Sequence, residues 1–527
     1  MGFFILLFVI LVLLLDNIGG VVSLSLGNVC NLIDGFMFHY IDLCSSKLVL
    51  MLFSCSILCL SYVFHYMGNS WNLSVQLVLV LIWFSGIMMG LVSSCNFITT
   101  LVFWEYLGLV SFILILYYGV WESYRGGVVT LVSSRFGDVG LFIILGYYIG
   151  MGGGLSFVTL MLMIWLIVVT KSASFPFISW LLEAMRAPTP VSSLVHSSTL
   201  VAAGVWFYLN YYEVIGFSAY NLNWGVDLLL VSGLISIIIS GISALVCNDL
   251  KQIIALSTCN NISWVLVMMV MGSVDLALIQ LVIHGLSKCV IFFLVGDYIS
   301  SSSGSQMVNA LMVSIVGSLR DFVYVFLLVL GLSGFPFIGL YLSKHLFLSV
   351  FYSISFYNLV MMFMLYMCAV LSIVYCIRLI MLFDGVNVNN VSSIRLFYYI
   401  SSVVILFSWV LNVYYCYNIV FYDYSILKFS NSLVLLLLLL GLIVGVYFGL
   451  NLLIINWFSW LMGLDIIVMI VEWLMVNLTS LWGLFQFRWE ISILSVLSEL
   501  TGLLMFHCYT SIILLSLSIM IILIVII

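Results

Sequence analysis

From residue 157 the chain reads Phe157-Val158-Thr159-Leu160-Met161-Leu162-Met163-Ile164-Trp165-Leu166-Ile167-Val168-Val169-Thr170-Lys171-Ser172-Ala173-Ser174-Phe175-Pro176-Phe177-Ile178. After a short interval it continues Ala187-Pro188-Thr189-Pro190-Val191-Ser192-Ser193-Leu194-Val195-His196-Ser197-Ser198-Thr199. An apolar run of membrane-spanning character thus ends on a lysine, passes a proline and resumes as a helix of small polar residues carrying a histidine. A proline within such a run frees backbone groups that protein or water must satisfy, so a helix broken at membrane depth marks a pathway. Small residues let the resumed helix approach its neighbours closely.

The rest of the chain has the same character. Of 527 residues, 65% are apolar and 6% are Asp, Glu, Lys or Arg, against roughly 25% charged in a soluble domain. This excludes a water-soluble globular protein. Apolar runs lie near 1–24, 36–65, 74–95, 97–119, 128–150, 155–174, 188–210, 226–247, 252–272, 275–299, 310–331, 334–352, 355–383, 396–421 and 431–450. With about 20 residues per crossing and no period-2 alternation, they predict an all-α, polytopic transmembrane helical bundle of about fourteen to sixteen spans. The longest polar interruptions are 119–127, 300–309 and 384–395. The stretch Trp457 to Leu500, which spaces Asp465, Glu472, Arg488, Glu490 and Glu499 among apolar residues, reads as one long lateral amphipathic helix or as a pair of short spans.

The formal net charge is -6 and no Lys/Arg block occurs, so nothing suits a nucleic-acid backbone. The twelve cysteines show no C-x-x-C spacing, and no iron-sulfur, haem or zinc site is expected. Basic residues are too sparse in the loops to orient the chain across the membrane.

A charge at the bilayer centre costs at least ~2.5–3.5 kcal/mol, so each one retained there is a functional candidate. Glu105, Lys171, His196, Lys288 and Lys344 fall in separate apolar spans. Gln280, His284 and Lys288 follow at i, i+4 and i+8, on one stripe of one helix. Arg135 and Asp138, at i and i+3, read as a structural ion pair near a helix end, and Gln280 as an interhelical hydrogen-bond group. For His39, His65 and His507 local packing is the simpler reading. Lysine and histidine can carry a mobile proton; arginine cannot. Phe175-Pro176-Phe177-Ile178 recurs as Phe335-Pro336-Phe337-Ile338, each copy near a lysine, which predicts two broken helices in a fold of inverted repeats.

Trp104-Glu105, Arg135-Phe136-Gly137-Asp138, Lys171-Ser172-Ala173, the run from Ala187 to Thr199, Asn248-Asp249-Leu250-Lys251, and His284 to Lys288 together resemble the antiporter-like membrane subunits of respiratory complex I. The resemblance implies N-terminal peripheral helices over 1–96, a proton-translocating core over 97–383, further spans over 384–454, a lateral helix over 455–505 and a terminal anchor over 506–527. It implies proton movement without a cofactor in this chain, with NADH, FMN, iron-sulfur clusters and ubiquinone on other subunits, in the mitochondrial inner membrane. Glu105 would pair with Lys171, Asp138 would modulate that pair, and Lys171 would pass protons through water and His196 to His284 and Lys288, with Lys344 as the exit group. The implied partners are membrane lipids and the other membrane-arm subunits, especially the subunit 4 and subunit 2 antiporter-like chains beneath the lateral helix. Gln280, where the family often has a histidine, and His345, where it often has an acid, depart from the pattern. A cation/proton antiporter subunit of Mrp or membrane-hydrogenase type would share these motifs, and an inert structural brace is the third reading.

Overall fold

The computed structural model describes residues 43–383, except 69–70, 95–96, 150–156, 212–223, 336–337, 355–358 and most of 302–318, together with 400–410, 427–450 and three residues between 473 and 477. The expected span 1–24 and anchor 506–527 lie outside the described residues, as does the lateral helix 455–505 apart from residues 473, 476 and 477. By internal contacts the chain divides at residue 464, and every helix discussed below belongs to the first unit.

Backbone in hydrocarbon must satisfy its own N–H and C=O groups, so the apolar runs wind as helices, and no strand occurs among the described residues. In order they are α1 (Leu43–Met67), α2 (Trp71–Val92), α3 (Phe97–Ile115), α4 (Trp121–Ile149), α5 (Phe157–Lys171), α6 (Ser179–Ala184) and α7 (Thr189–Val191). A π-helical segment, Ser192–Thr199, leads into α8 (Leu200–Tyr211), α9 (Trp224–Val246), α10 (Leu250–Val270) and α11 (Val274–Ser301). Next come α12 (Leu319–Ser333), α13 (Tyr341–Ile354), α14 (Leu359–Phe383), α15 (Ile400–Val410) and α16 (Leu427–Leu450). Eight of these, α1 to α4, α9 to α11 and α14, are long and apolar enough to cross a bilayer. The chain is a multi-pass, all-α membrane protein.

Both expected helix breaks are present. The first separates α5 from α6 and contains a cis Phe175–Pro176 bond. The second separates α12 from α13, where Gly334 and Gly339 take positive φ. One expected interruption shrinks: within 119–127 only Gly119 and Val120 leave the helix, and α4 starts at Trp121. The charges that suggested a loop are accommodated at the helix end, because Arg186 reaches Glu122 at 2.7 Å and Glu183 at 2.9 Å.

α10 and α11 form the centre and are buried on nearly all sides. α1 runs parallel to α11: Lys47 meets Asp275 at 2.6 Å near their starts and Tyr62 meets Asp297 at 3.1 Å near their ends. Buried Arg378 on α14 donates to Ala244 O (2.6 Å) and Cys247 O (2.8 Å), closing the C-terminus of α9. In the turn that follows, burial raises the Asp249 carboxyl above its usual range, with Arg186 opposing the shift. Lys251, just beyond, donates to Ala187 O at 3.1 Å and so fixes the entry to α7.

Candidate functional site

Lys171 is the last residue of α5, so the broken helix delivers its ammonium into the bundle at the break. The residue is 2% exposed. Its Nζ lies 5.1 Å from the centroid of the Trp104 ring, a cation–π position. The acidic groups acting on this charge are Asp138 first and Glu105 second. The implied Glu105–Lys171 pair is not what the structure shows. Glu105 Oε2 is taken by Arg135 Nη1 at 2.6 Å. The same guanidinium nitrogen stands 3.2 Å from Asp138 Oδ2, and Asp138 Oδ1 accepts a hydrogen bond from Trp104 Nε1 at 3.0 Å. The cause is geometric: α3 and α4 pack side by side, and the long guanidinium spans both carboxylates while Lys171 keeps the ring face. Nor does the Arg135–Asp138 pair lie near a helix end, since both residues sit in the middle of α4.

A cavity of about 20 Å³ opens beside Lys171, enough for a water molecule. Its lining includes Gly108, Ser111, Thr130, Ser134, Lys171, Trp180 and His196. Trp180 is pinned by its Nε1 hydrogen bond to Thr170 O (2.9 Å) and meets the His196 ring edge-on at 6.3 Å. His196 is fully buried, and neither ring nitrogen has a hydrogen-bond partner among the described residues. It lies within the π segment, whose wide turn is marked by Leu200 N bonding to Val195 O and Thr199 Oγ1 to Leu194 O. Local π geometry often accompanies functional sites because it re-aims side chains.

A second group surrounds α11. Lys288 Nζ donates to Ile254 O at 3.1 Å and to Ser257 Oγ, both on α10. His284, one turn away and buried, lies within electrostatic reach of Lys288 and Lys344, and its Nε2 has no partner among the described residues. Lys344, on α13 beyond the second break, donates to Leu332 O (3.3 Å) and Ser333 O (3.5 Å). These carbonyls end α12, where a cation is favoured by the helix dipole. Its Nζ also lies 5.7 Å from the Trp264 ring, so each broken-helix lysine faces a tryptophan. Gln280 Oε1 accepts from Ser343 Oγ at 3.2 Å.

The structure therefore places Lys171 and His196 on one cavity, with Asp138 and Glu105 acting on Lys171 from outside its lining, and His284, Lys288 and Lys344 around another stretch of the core. No hydrogen bond or ion pair joins the two groups among the described residues. The π segment and α11 do touch, since a Cβ at Gly285 would lie 3.3 Å from Ser198 Cβ. Sequence reading missed Arg135 as the partner of Glu105, and Trp104 and Trp264 as the lysine platforms. The adjacency of Trp104 to Glu105 was the one available signal.

Residues 94–372 match the family described as NADH:quinone oxidoreductase/Mrp antiporter, TM. The chain belongs to this family of proton-antiporter-like membrane proteins. Curated relatives named NADH-ubiquinone oxidoreductase chain 5 include that of Anopheles gambiae, 34% identical over 362 residues, covering 66% of this chain and 60% of that protein. That of Caenorhabditis elegans is 32% identical over 357 residues, covering 65% of this chain and 66% of that protein. The matched region thus spans less than two thirds of the length of either relative. A solved chain from the Mrp complex of Dietzia sp. DQ12-45-1b shares the fold, with a TM-score of 0.75 at 18% identity, covering 94% of this chain and 58% of that one.

Proposed function

We propose that this chain is a core membrane-arm subunit of respiratory complex I, moving protons across the mitochondrial inner membrane while other subunits transfer electrons from NADH to ubiquinone. The observation that carries the reading is Lys171, a buried ammonium on a tryptophan face, beside a water-sized cavity shared with an unpartnered histidine. A buried group of this kind can exchange a proton with water when the carboxylates near it shift, and Arg135 is placed to control how much of the Glu105 and Asp138 charge reaches it. His196, His284, Lys288 and Lys344 would extend the path through the core. NADH, FMN, iron-sulfur clusters and ubiquinone would be held by other subunits, with no redox chemistry here. The partners would be those subunits, chiefly the subunit 4 and subunit 2 antiporter-like chains, and lipid. The names of the curated relatives support this reading.

A cation/proton antiporter subunit of Mrp type is the second reading, favoured by the shared fold of the Dietzia complex. Replacing Lys171 with Met in the assembled complex tests the first. Protons moved per electron should fall, and an unchanged ratio with unchanged coupled turnover would overturn it. Purification of the chain in a complex lacking NADH oxidation would favour the second.

A further inference from the structure

One titratable cluster plays no part in the path above. Near the ends of α1 and α11, Asp297 Oδ1 accepts a hydrogen bond from the Tyr62 hydroxyl at 3.1 Å and lies 3.3 Å from His65 Nδ1. The Asp297 and His65 side chains are 18% and 29% exposed, whereas Tyr62 is fully buried. The trio therefore runs from a partly open rim to the interior. The Tyr62 ring stacks on Phe293 with centroids 4.4 Å apart, which fixes where its hydroxyl points. That hydroxyl also lies against the side chain of Thr189, the first residue of α7.

Gly296 makes this approach possible. A Cβ there would collide with the Tyr62 hydroxyl and come within 2.8 Å of Thr189 Oγ1. From Thr189 the polar side chains continue inward on the same helical run as Ser193 and His196, at intervals of four and three residues. Ser193 Oγ donates to Pro190 O at 2.8 Å and lies 3.8 Å from Cys59 Sγ. Its lone pairs can accept a proton from a neighbour, and handing its own proton on toward His196 requires the hydroxyl to turn from the carbonyl. The file ends at His196, fully buried with both ring nitrogens unpartnered.

We infer that Asp297, His65 and Tyr62 form a water-facing proton port that serves His196 by way of Thr189 and Ser193, with intervening water completing the file. A proton taken up at the Asp297 carboxylate is passed to the Tyr62 oxygen as the phenol gives its own proton inward, so the chain of O–H groups turns over without net charge on tyrosine. The inference rests on the proposed function, since it supplies a route to a histidine already placed in the translocation path.

The test uses the assembled complex in sealed vesicles, comparing Tyr62→Phe, Asp297→Asn, Asp297→Glu and Lys171→Met. Tyr62→Phe keeps the stacked ring and removes only the hydroxyl. Coupled proton transfer should fall about a hundredfold in Tyr62→Phe and Asp297→Asn, the lower end of what one positioned proton-transfer group contributes, and recover in Asp297→Glu. If Tyr62→Phe and Asp297→Asn assemble and move protons at the unmodified rate while Lys171→Met does not, the port is overturned and the translocation reading stands. If Lys171→Met also moves protons normally, the proposed function itself fails. Should Asp297→Asn fail to assemble, Tyr62→Phe decides alone.

Discussion

Arg135 Nη1 stands 2.6 Å from Glu105 Oε2, joining residues thirty positions apart on α3 and α4 and withholding that carboxylate from Lys171. The guanidinium is half exposed, so the pair itself contributes little to stability. Its influence is on the field at Lys171, where one cation offsets part of two anions.

Removing the cation exposes Lys171 to both carboxylates, which should hold its proton more tightly and slow release. Arg135→Met is expected to lower coupled proton transfer about fivefold, equivalent to about 1 kcal/mol. Adding Glu105→Gln to the same variant should restore much of the rate, because the uncompensated anion is then gone. Vesicle acidification assays on the two variants check both statements.

Trp104 has two roles, and a phenylalanine separates them. Trp104→Phe retains an aromatic face for the Lys171 ammonium but removes the N–H that bonds Asp138 Oδ1. A buried carboxylate losing a donor of this kind costs about 1.5–3 kcal/mol. The detergent-solubilised complex should therefore dissociate at a lower temperature.

Arg378 is a fastening rather than a relay. Arg378→Met leaves two buried carbonyls, Ala244 O and Cys247 O, without their donor, at an expected cost of about 3 kcal/mol or more. The amount of assembled complex should drop, while turnover per assembled complex is preserved. Arg378→Lys should recover only part, because one ammonium cannot fork between two carbonyls.

At the second break, Gly339 takes φ +58° and a Cβ there would overlap the Gly331 backbone. Gly339→Ala is expected to destabilise by about 2–3 kcal/mol through left-handed strain and steric overlap. Gly86→Ala, in α2 with nothing near its Cβ position, should instead gain about 0.5–1 kcal/mol. Immunoblots of assembled complex and thermal melts distinguish the two.

Much of this was legible in the chain itself. A lysine ending an apolar run, and prolines placed beside two such lysines, announce broken helices because oil tolerates neither charge nor unpaired backbone without a reason. Lys171 and Lys344 stood out on that ground. The partner of Glu105 was not legible: local spacing relates Arg135 only to Asp138, and the α3–α4 contact that brings Glu105 within reach is tertiary. Nor could spacing show that Trp104 and Trp264 carry the lysines, since an aromatic in a buried helix is ordinarily packing. The start of α4 is hidden in the sequence because Glu122 and Arg125 look like loop residues until Arg186 is known to stand opposite Glu122. The π geometry of Ser192–Thr199 left no periodic trace, because every residue of that segment is buried and no polar face exists to reveal the winding.

That winding sets two demands against each other. A π turn holds more residues than an α turn, so deleting one residue between 192 and 199 would let the segment relax toward a more regular helix with its flanks still in register. The shortened chain would be the tidier solid. Yet where the excess is not absorbed, residues beyond the deletion would rotate by about 100° relative to those before it, and the imidazole would turn from the cavity it shares with Lys171 and Trp180 into the packed interior. Here irregularity is what aims the ring, and loss of a single codon would be harder on this segment than most single replacements.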